Sequence, residues 1–542
     1  MNILLVIFLC FFPFIGWAAC TGSSPTWTST ADYTSLNSCV SGATAGDTIN
    51  VTGSGTVSWT SLLGISKQIR IIGPGRDTLT IQGDGNTDLI YYAPSTADNH
   101  DSNVHFELSG ITLDAGATAV ANNHDCLHLS GHDAGISYGI KVHDMRFKNG
   151  YKNVRLNGEE YGVFFHNDFP DGAASHIYAG AQGKTVYDQT LAIGGATYPY
   201  FEGNTFGNGT SYVSETGQAG RIVERFNTTT NFGEAGETEV HDQHGYQGGY
   251  PINTDYAGTR SGEIYNNSYA LTHVAEWMNF RGGMLRMFNN SASGYSAFLG
   301  IREYAYYYRQ VPTRIVSSGT VYITTVSHTS GTFATDLANG IWTVYSPVTV
   351  YDNAHVYTTG DVVSYSGLFY GAGGPEDGQS GILPTNSNYW FAIPNWATGQ
   401  DYYYYPAWEQ TNNSFFFNNK SLGSNMAVNY LDAYSASFIL PNQDYWAEGD
   451  GVSNITSGSG APAGNCTDMN YYGRTDTGQI YKCHPVNTWT LDYTPYTCPH
   501  PLTGLAGSCN YTIVGTAGYP TGASPSSGSA GMTCAGCVRS GN

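Results

Sequence analysis

Apolar positions along this chain fall in short alternating stretches, each broken by Asn, Asp or Gly. Ala45–Trp59 (AGDTINVTGSGTVSW) and Gln68–Gly75 (QIRIIGPG) read as brief strands joined by glycine turns. Further on, one motif recurs: an apolar or aromatic segment, then Asn or Asp, then a small or aromatic residue. Its copies include Val142–Phe147, Phe164–Phe169, Tyr200–Phe206, Val223–Thr230, Glu263–Tyr269, Leu285–Ala292 and Phe415–Ser421. Asp144 to Asn167, Asn204 to Asn227, and Asn267 to Asn290 are each 23 residues. No long stretch keeps an apolar face at i, i+3, i+4. A repeat of about two dozen residues built from short strands predicts an all-β solenoid. Each coil would bury one alternating face, with Asn tolerating left-handed backbone at the corners.

Between Pro312 and Trp396 the period changes. Ser317–Trp342 can be laid over Tyr365–Trp390, 48 residues later. Tyr322 to Trp342 and Tyr370 to Trp390 are both 20 residues. The first copy lacks the Gly-Asp strand that precedes the second, so it reads as half a unit.

These patterns carry two resemblances. Residues 30–310, with the entry CVSGATAGDTINV (Cys39–Val51) and the strand–Asn coils, resemble the right-handed parallel β-helix of the pectin-lyase-like superfamily. DYTPYTCPHPL (Asp492–Leu502) is similar to the endings of many secreted bacterial β-helix proteins. That fold hosts lyases, hydrolases, esterases and plain binders, so it implies architecture and not activity. The interruption resembles the small carbohydrate-binding module of chitinases (family 5/12-like) and similar modules of phage tail proteins. Tyr357, Gly360, Asp361, Val363, Gly367, Tyr370 and Trp390 carry that likeness. It implies sugar contact through Tyr357, Tyr370, Tyr389, Trp390 and Trp342, since a pyranose packs its C–H face on an aromatic ring. The same rings could instead form the unit's own small core. The Tyr runs Ala305–Arg309 and Asp401–Pro406 bracket the insertion and could pack against it or offer a further sugar platform.

Composition narrows the partners. Among 542 residues, 42 are acidic and 21 basic, a formal charge of −21. Phosphate would be repelled, so no nucleic-acid partner is expected. Residues 1–18 read as a signal peptide: an apolar run, Ile3–Ile15, ends in small residues. Lipidation at Cys20 is the alternative. No later segment is apolar enough to span a bilayer, so an extracellular location is expected. Cys20, Cys39, Cys466, Cys483, Cys498, Cys509, Cys534 and Cys537 can pair in an oxidising compartment, leaving Cys126 alone. Cys20 with Cys39 is the expected pair, both being far from every alternative.

For chemistry on the coils, a lyase needs an Arg or Lys base beside a neutralised uronate, with Ca2+ possible, and a hydrolase needs two nearby carboxylates. The densest cluster is ETEVHDQHG (Glu237–Gly245). If Val240 points inward, alternation places Glu239, His241 and Gln243 outside. Arg225, His241, Arg260 and Arg281 would then stack into a cationic groove; a solvated ladder of inter-coil ion pairs is the plainer alternative. A second cluster, NNHDCLHLSGHD, holds His124, Asp125, His128, His132 and Asp133, where a metal is conceivable but not expected.

The expected organisation is signal peptide 1–18, β-helix 19–311, insertion 312–396, terminal coils and C-terminal region 397–512, and a Gly/Ser-rich tail 513–542. The expected function is a polysaccharide-binding protein, with lyase or glycoside hydrolase activity in play. The alternative is a non-catalytic glycan-binding adhesin or a tailspike-like recognition protein. Oligomeric state is not legible.

Overall fold

The computed structural model describes residues 20–509 apart from 96–102, 132–135, 172–173, 181–191, 208–211, 233–238, 246–257, 302–313, 325–327, 356, 358–360, 373–380, 382, 386–389, 399–400, 403–410, 422–423, 427–429, 432–438, 440 and 443. The chain is a parallel β-helix. A first sheet of thirteen strands runs from Thr21–Ser23 to Tyr445–Ala447, parallel except for its first pair. A second column of strands begins at Gly55–Trp59 and a third at Leu63–Ile65; each coil contributes one strand to each. The second and third columns merge where Ser268–Phe280 and Ser291–Ile301 run through both. No helix among the described residues is long and apolar enough to cross a membrane.

Side-chain alternation builds the interior. Leu108, Val142, Phe164, Phe201, Glu224, Ile264, Met287 and Phe416 share one register on the first sheet. Apolar rings stack from coil to coil along such rows, as Phe164 does on Phe201 at 4.5 Å. Glu224 is the exception: it is buried, and its carboxylate lies 3.4 Å from Nδ1 of His241, which also meets Ser214 Oγ at 2.8 Å and Tyr269 OH at 2.9 Å.

The recurring Asn forms a ladder. Asn167, Asn204, Asn227, Asn267, Asn290 and Asn419 are buried at one corner. Asn204 Oδ1 accepts from the Asn167 amide at 2.9 Å, and Asn227, Asn267 and Asn290 each accept likewise from the Asn one coil before. Each Nδ2 donates to a carbonyl of the preceding coil, as Asn227 does to Phe201. The residue before each ladder position has a left-handed backbone: His166, Gly203, Phe226, Asn266, Asn289 and Asn418 all have φ between 50° and 63°. This corner bend leaves an amide that no strand can satisfy, and Asn supplies the missing acceptor. The structure corrects one pairing. Met145, not Asp144, stands opposite Asn167, whose Oδ1 accepts from the Met145 amide; Asp144 occupies the left-handed position, with φ 53°.

Among the described residues three disulfides form, Cys20–Cys39, Cys466–Cys483 and Cys498–Cys509, and Cys126 is a buried thiol. Cys534 and Cys537 lie outside the described residues, as do residues 1–18 and the tail from 513. After the last coil, strands Ile455–Gly458, Tyr471–Arg474, Ile480–Cys483 and Trp489–Tyr493 form a four-stranded sheet. This region seals the outer face of the first sheet. Phe165, Tyr200, Val223, Tyr265, Phe288 and Phe417 share a second core with Tyr471, Ile480 and Tyr493.

The insertion is a structural tandem. Hairpin Arg314–Ser317 with Thr320–Thr324 and hairpin Val362–Tyr365 with Leu368–Ala372 have the same register, offset by 48 residues. Their turns, Ser318-Gly319 and Ser366-Gly367, both have two positive φ values, the geometry of a tight hairpin. Tyr322 pairs Val344 and Thr324 pairs Trp342; Tyr370 pairs Ala392 and Ala372 pairs Trp390. The first copy therefore does carry the strand that its sequence hides, as RIVS. The copies also exchange exits: Thr349–Val350, after the first, pairs with Val363–Ser364 of the second, and Asn395, after the second, bridges Val316 of the first.

Candidate functional site

The outer face of the third column carries a continuous polar row. Parallel pairing places Tyr91, His128, Arg155, Tyr178, Glu215, Asp242 and Asn279 side by side, one per coil. At ~4.8 Å per coil the row extends about 29 Å. Its flanks add Lys152, Ser175, His244 and Arg281.

The centre of the row is a chain of paired charges. Lys152 Nζ donates to Glu215 and, at 2.9 Å, to Ser175 Oγ. It also sits 5.4 Å from the Tyr178 ring centroid, with Arg155 at 5.9 Å from the same ring. Nε2 of His244 lies 3.0 Å from Glu215 Oε1 and 3.0 Å from Asp242 Oδ2. Arg281 grips Asp242 through Nε at 2.9 Å and through Nη2. Burial acts to raise the Glu215 carboxyl, but His244 and Lys152 outweigh it and hold it at about 2. Burial would likewise lower His244, yet its bonds to Asp242 and Glu215 raise it. Burial pushes the Tyr178 hydroxyl up to about 12. The Glu215 and Asp242 oxygens that share His244 are no more than about 6 Å apart.

At the other end, Asp88 Oδ2 lies 3.4 Å from His128 Nδ1 and Asp88 Oδ1 3.4 Å from His124 Nδ1. Asp125 meets Arg155 Nε at 2.6 Å and accepts from the Lys152 amide at 2.8 Å. Burial raises the Asp125 carboxyl to about 6, against the pull of Arg155.

Of the residues singled out from the sequence, His124, Asp125 and His128 gather around Asp88, but the expected catalytic set does not converge. Arg225 lies on the first sheet, fully buried; its Nε bonds Glu202 at 2.7 Å and its guanidinium caps the carbonyls of Tyr496 and Thr497. His241 and Gln243 are buried, and His241 faces Ser214, Glu224 and Tyr269 instead of solvent. Glu239 is 9% exposed and accepts from Asn279 Nδ2 at 3.3 Å. Arg260 sits ahead of a first-sheet strand, its amide bonded to Gly220 O. Only Arg281 belongs to the charged row. The expected cationic stack is thus replaced by an alternation of both signs.

The insertion is corrected similarly. Tyr357, Tyr370 and Trp390 are 4–8% exposed and form one core with Val363; Trp342 packs on Ile315 in another. Tyr389, His132, Asp133 and the Tyr runs Ala305–Arg309 and Tyr403–Pro406 lie outside the described residues. The sequence reading missed Asp88, Lys152, Tyr178 and Glu215, and it gave no role to Asp242 and His244 within the Glu237–Gly245 cluster. A signal existed: Tyr178 and Glu215 each follow a ladder Asn by eleven residues.

No family model matches the chain, and no curated protein or solved structure matches it.

Proposed function

We propose that this is an exported glycan-binding β-helix protein that lays a polysaccharide along the outer face of its third column. The observation that carries this reading is the partly exposed row from Tyr91 to Glu215, which offers ring faces and charged hydrogen-bonding groups in turn over about 19 Å. Ring faces suit the C–H face of a pyranose, and carboxylates and guanidinium forks suit its hydroxyls. Because Lys152, Arg155 and Arg281 are each matched by Glu215, Asp125 or Asp242, the row favours a neutral or weakly charged sugar over a strongly anionic one. The three disulfides fit an oxidising, extracellular setting.

Hydrolysis is the second reading, favoured by two carboxylates, Glu215 and Asp242, brought together on His244. Lyase action is less well supported, since Lys152 is bound to Glu215 and so poorly placed to take a proton. Affinity electrophoresis against a polysaccharide panel tests binding: Tyr178→Ala and Arg155→Ala should each abolish the retardation seen for the unaltered chain. Retardation that survives both substitutions moves the binding face elsewhere. Reducing ends released by the unaltered chain, and lost in Glu215→Gln, would establish the hydrolytic reading.

A further inference from the structure

We propose that Asp88, Asp125 and His128 form a binding site for one divalent transition-metal ion of the zinc or manganese kind. Each of the three offers a ligand atom, and all three atoms lie within 4.8 Å of one another. They come from adjacent coils: Asp88 from the turn before one third-column strand, and Asp125 and His128 from the start of the next. The site shares His128 and the Asp125–Arg155 pair with one end of the glycan row, but its argument does not rest on the glycan reading.

Three features distinguish it from an ordinary polar cluster. The Asp88–His128 contact is 3.4 Å, long for a charge-assisted hydrogen bond but close to the edge of a coordination polyhedron with bonds of about 2.0–2.2 Å. Asp88 and Asp125 approach each other with Arg155 as the counter-charge on Asp125, and the backbone amide of Asp125 also donates to Asp88 at 2.8 Å. Two carboxylates held together behind one guanidinium make a place where a divalent ion relieves repulsion. Lastly, the far nitrogen of His128 is already held: Nε2 lies 3.1 Å from Asn157 Nδ2. With that amide turned so that its oxygen accepts from Nε2–H, Nδ1 presents a lone pair toward Asp88 and Asp125, the outer-shell arrangement of a metal-bound imidazole.

The donor set selects the ion. One imidazole with two carboxylates suits zinc, manganese or cobalt better than calcium, which prefers oxygen alone. The route in is open, since Asp88 and His128 side chains are 22% and 16% exposed while Asp125 is 2% exposed at the back. His124, 3.4 Å from the other oxygen of Asp88, does not join the set whose ligand atoms all lie within 4.8 Å and is an outer partner.

The test is a Co2+ titration of the untagged chain after chelator dialysis. One equivalent should bind with a visible absorption band. Zn2+ should displace it, and a large excess of Ca2+ should not. Asp88→Asn and His128→Gln should each weaken Co2+ at least about tenfold, while His124→Gln leaves affinity nearly unchanged. Uptake that is equal in the unaltered chain, Asp88→Asn and His128→Gln overturns the proposal, as does displacement by Ca2+ as readily as by Zn2+. X-ray absorption of the zinc-loaded unaltered chain gives a measurement that needs no variant. It should show only nitrogen and oxygen ligands at about 2.0–2.1 Å. Sulfur in that shell would place the ion on a cysteine and overturn the assignment.

Discussion

The outer faces of the first and third columns are made of the same side chains and do opposite things. On the first, Glu202, Arg225, Tyr265, Glu263 and Arg286 sit in register beneath the C-terminal region, with Tyr493 bonding Glu263 and the chain at Tyr496–Thr497 capping Arg225. On the third, Arg155, Tyr178 and Glu215 stand in register with polar partners and partial access to solvent, and the row becomes buried only at Asp242. A row of Arg, Glu and Tyr is therefore no mark of a site in a solenoid. What separates the two is whether a later part of the chain closes over the row, because a covered ion pair turns into packing and an uncovered one stays available.

Removing one arginine from each face exposes the contrast. Arg225→Ala leaves the buried Glu202 carboxylate with the His500 amide but without its counter-charge and should cost about 3–5 kcal/mol of stability, measured by denaturant unfolding. Its glycan retention per folded molecule should stay unchanged. Asn227→Ala, at the corner between the first and second columns, orphans the Asn204 amide and should cost about 1–3 kcal/mol in the same assay. Arg281→Ala should destabilise less than Arg225→Ala yet lose most glycan retention; a stability loss as large as that of Arg225→Ala would erase the distinction.

Acid gives the smallest and most selective readout. Glu215 titrates lower in the folded chain, at about 2, than its ordinary value of 4.5. Its contribution to stability is therefore complete above about pH 4.5 and is lost as pH falls toward 2. Glu215→Gln should flatten that part of the stability–pH curve. A curve unchanged by the substitution would show that the Lys152–Glu215–His244 contacts do not form in solution.

Much of the architecture was legible because it repeats. The Asn ladder is visible as a 23-residue spacing since each corner has the same unsatisfied amide. The tandem insertion is visible as a 48-residue offset since the Ser-Gly turn and the Tyr–Trp span recur together. The site was not legible, for two physical reasons. Strand Glu239–Gln243 is buried at all five positions, so alternation could not say which way His241 points. Coil length also varies: Asp242 follows Asn227 by fifteen residues where Glu215 follows Asn204 by eleven, so rows on the third column slip relative to the ladder. The buried rings of Tyr357, Tyr370 and Trp390 teach the same lesson at small scale, since a unit with so few apolar residues spends its aromatics on itself.

The cap over the first sheet has a consequence for biosynthesis. Arg225 finds its carbonyl partners 271 and 272 residues further along the chain. Coils that wind up early must wait, with a sticky aromatic flank bare, until nearly the whole polypeptide has been made. A truncated product would keep its spiral but carry an unshielded greasy side, and it would clump before it could misfold in any other way.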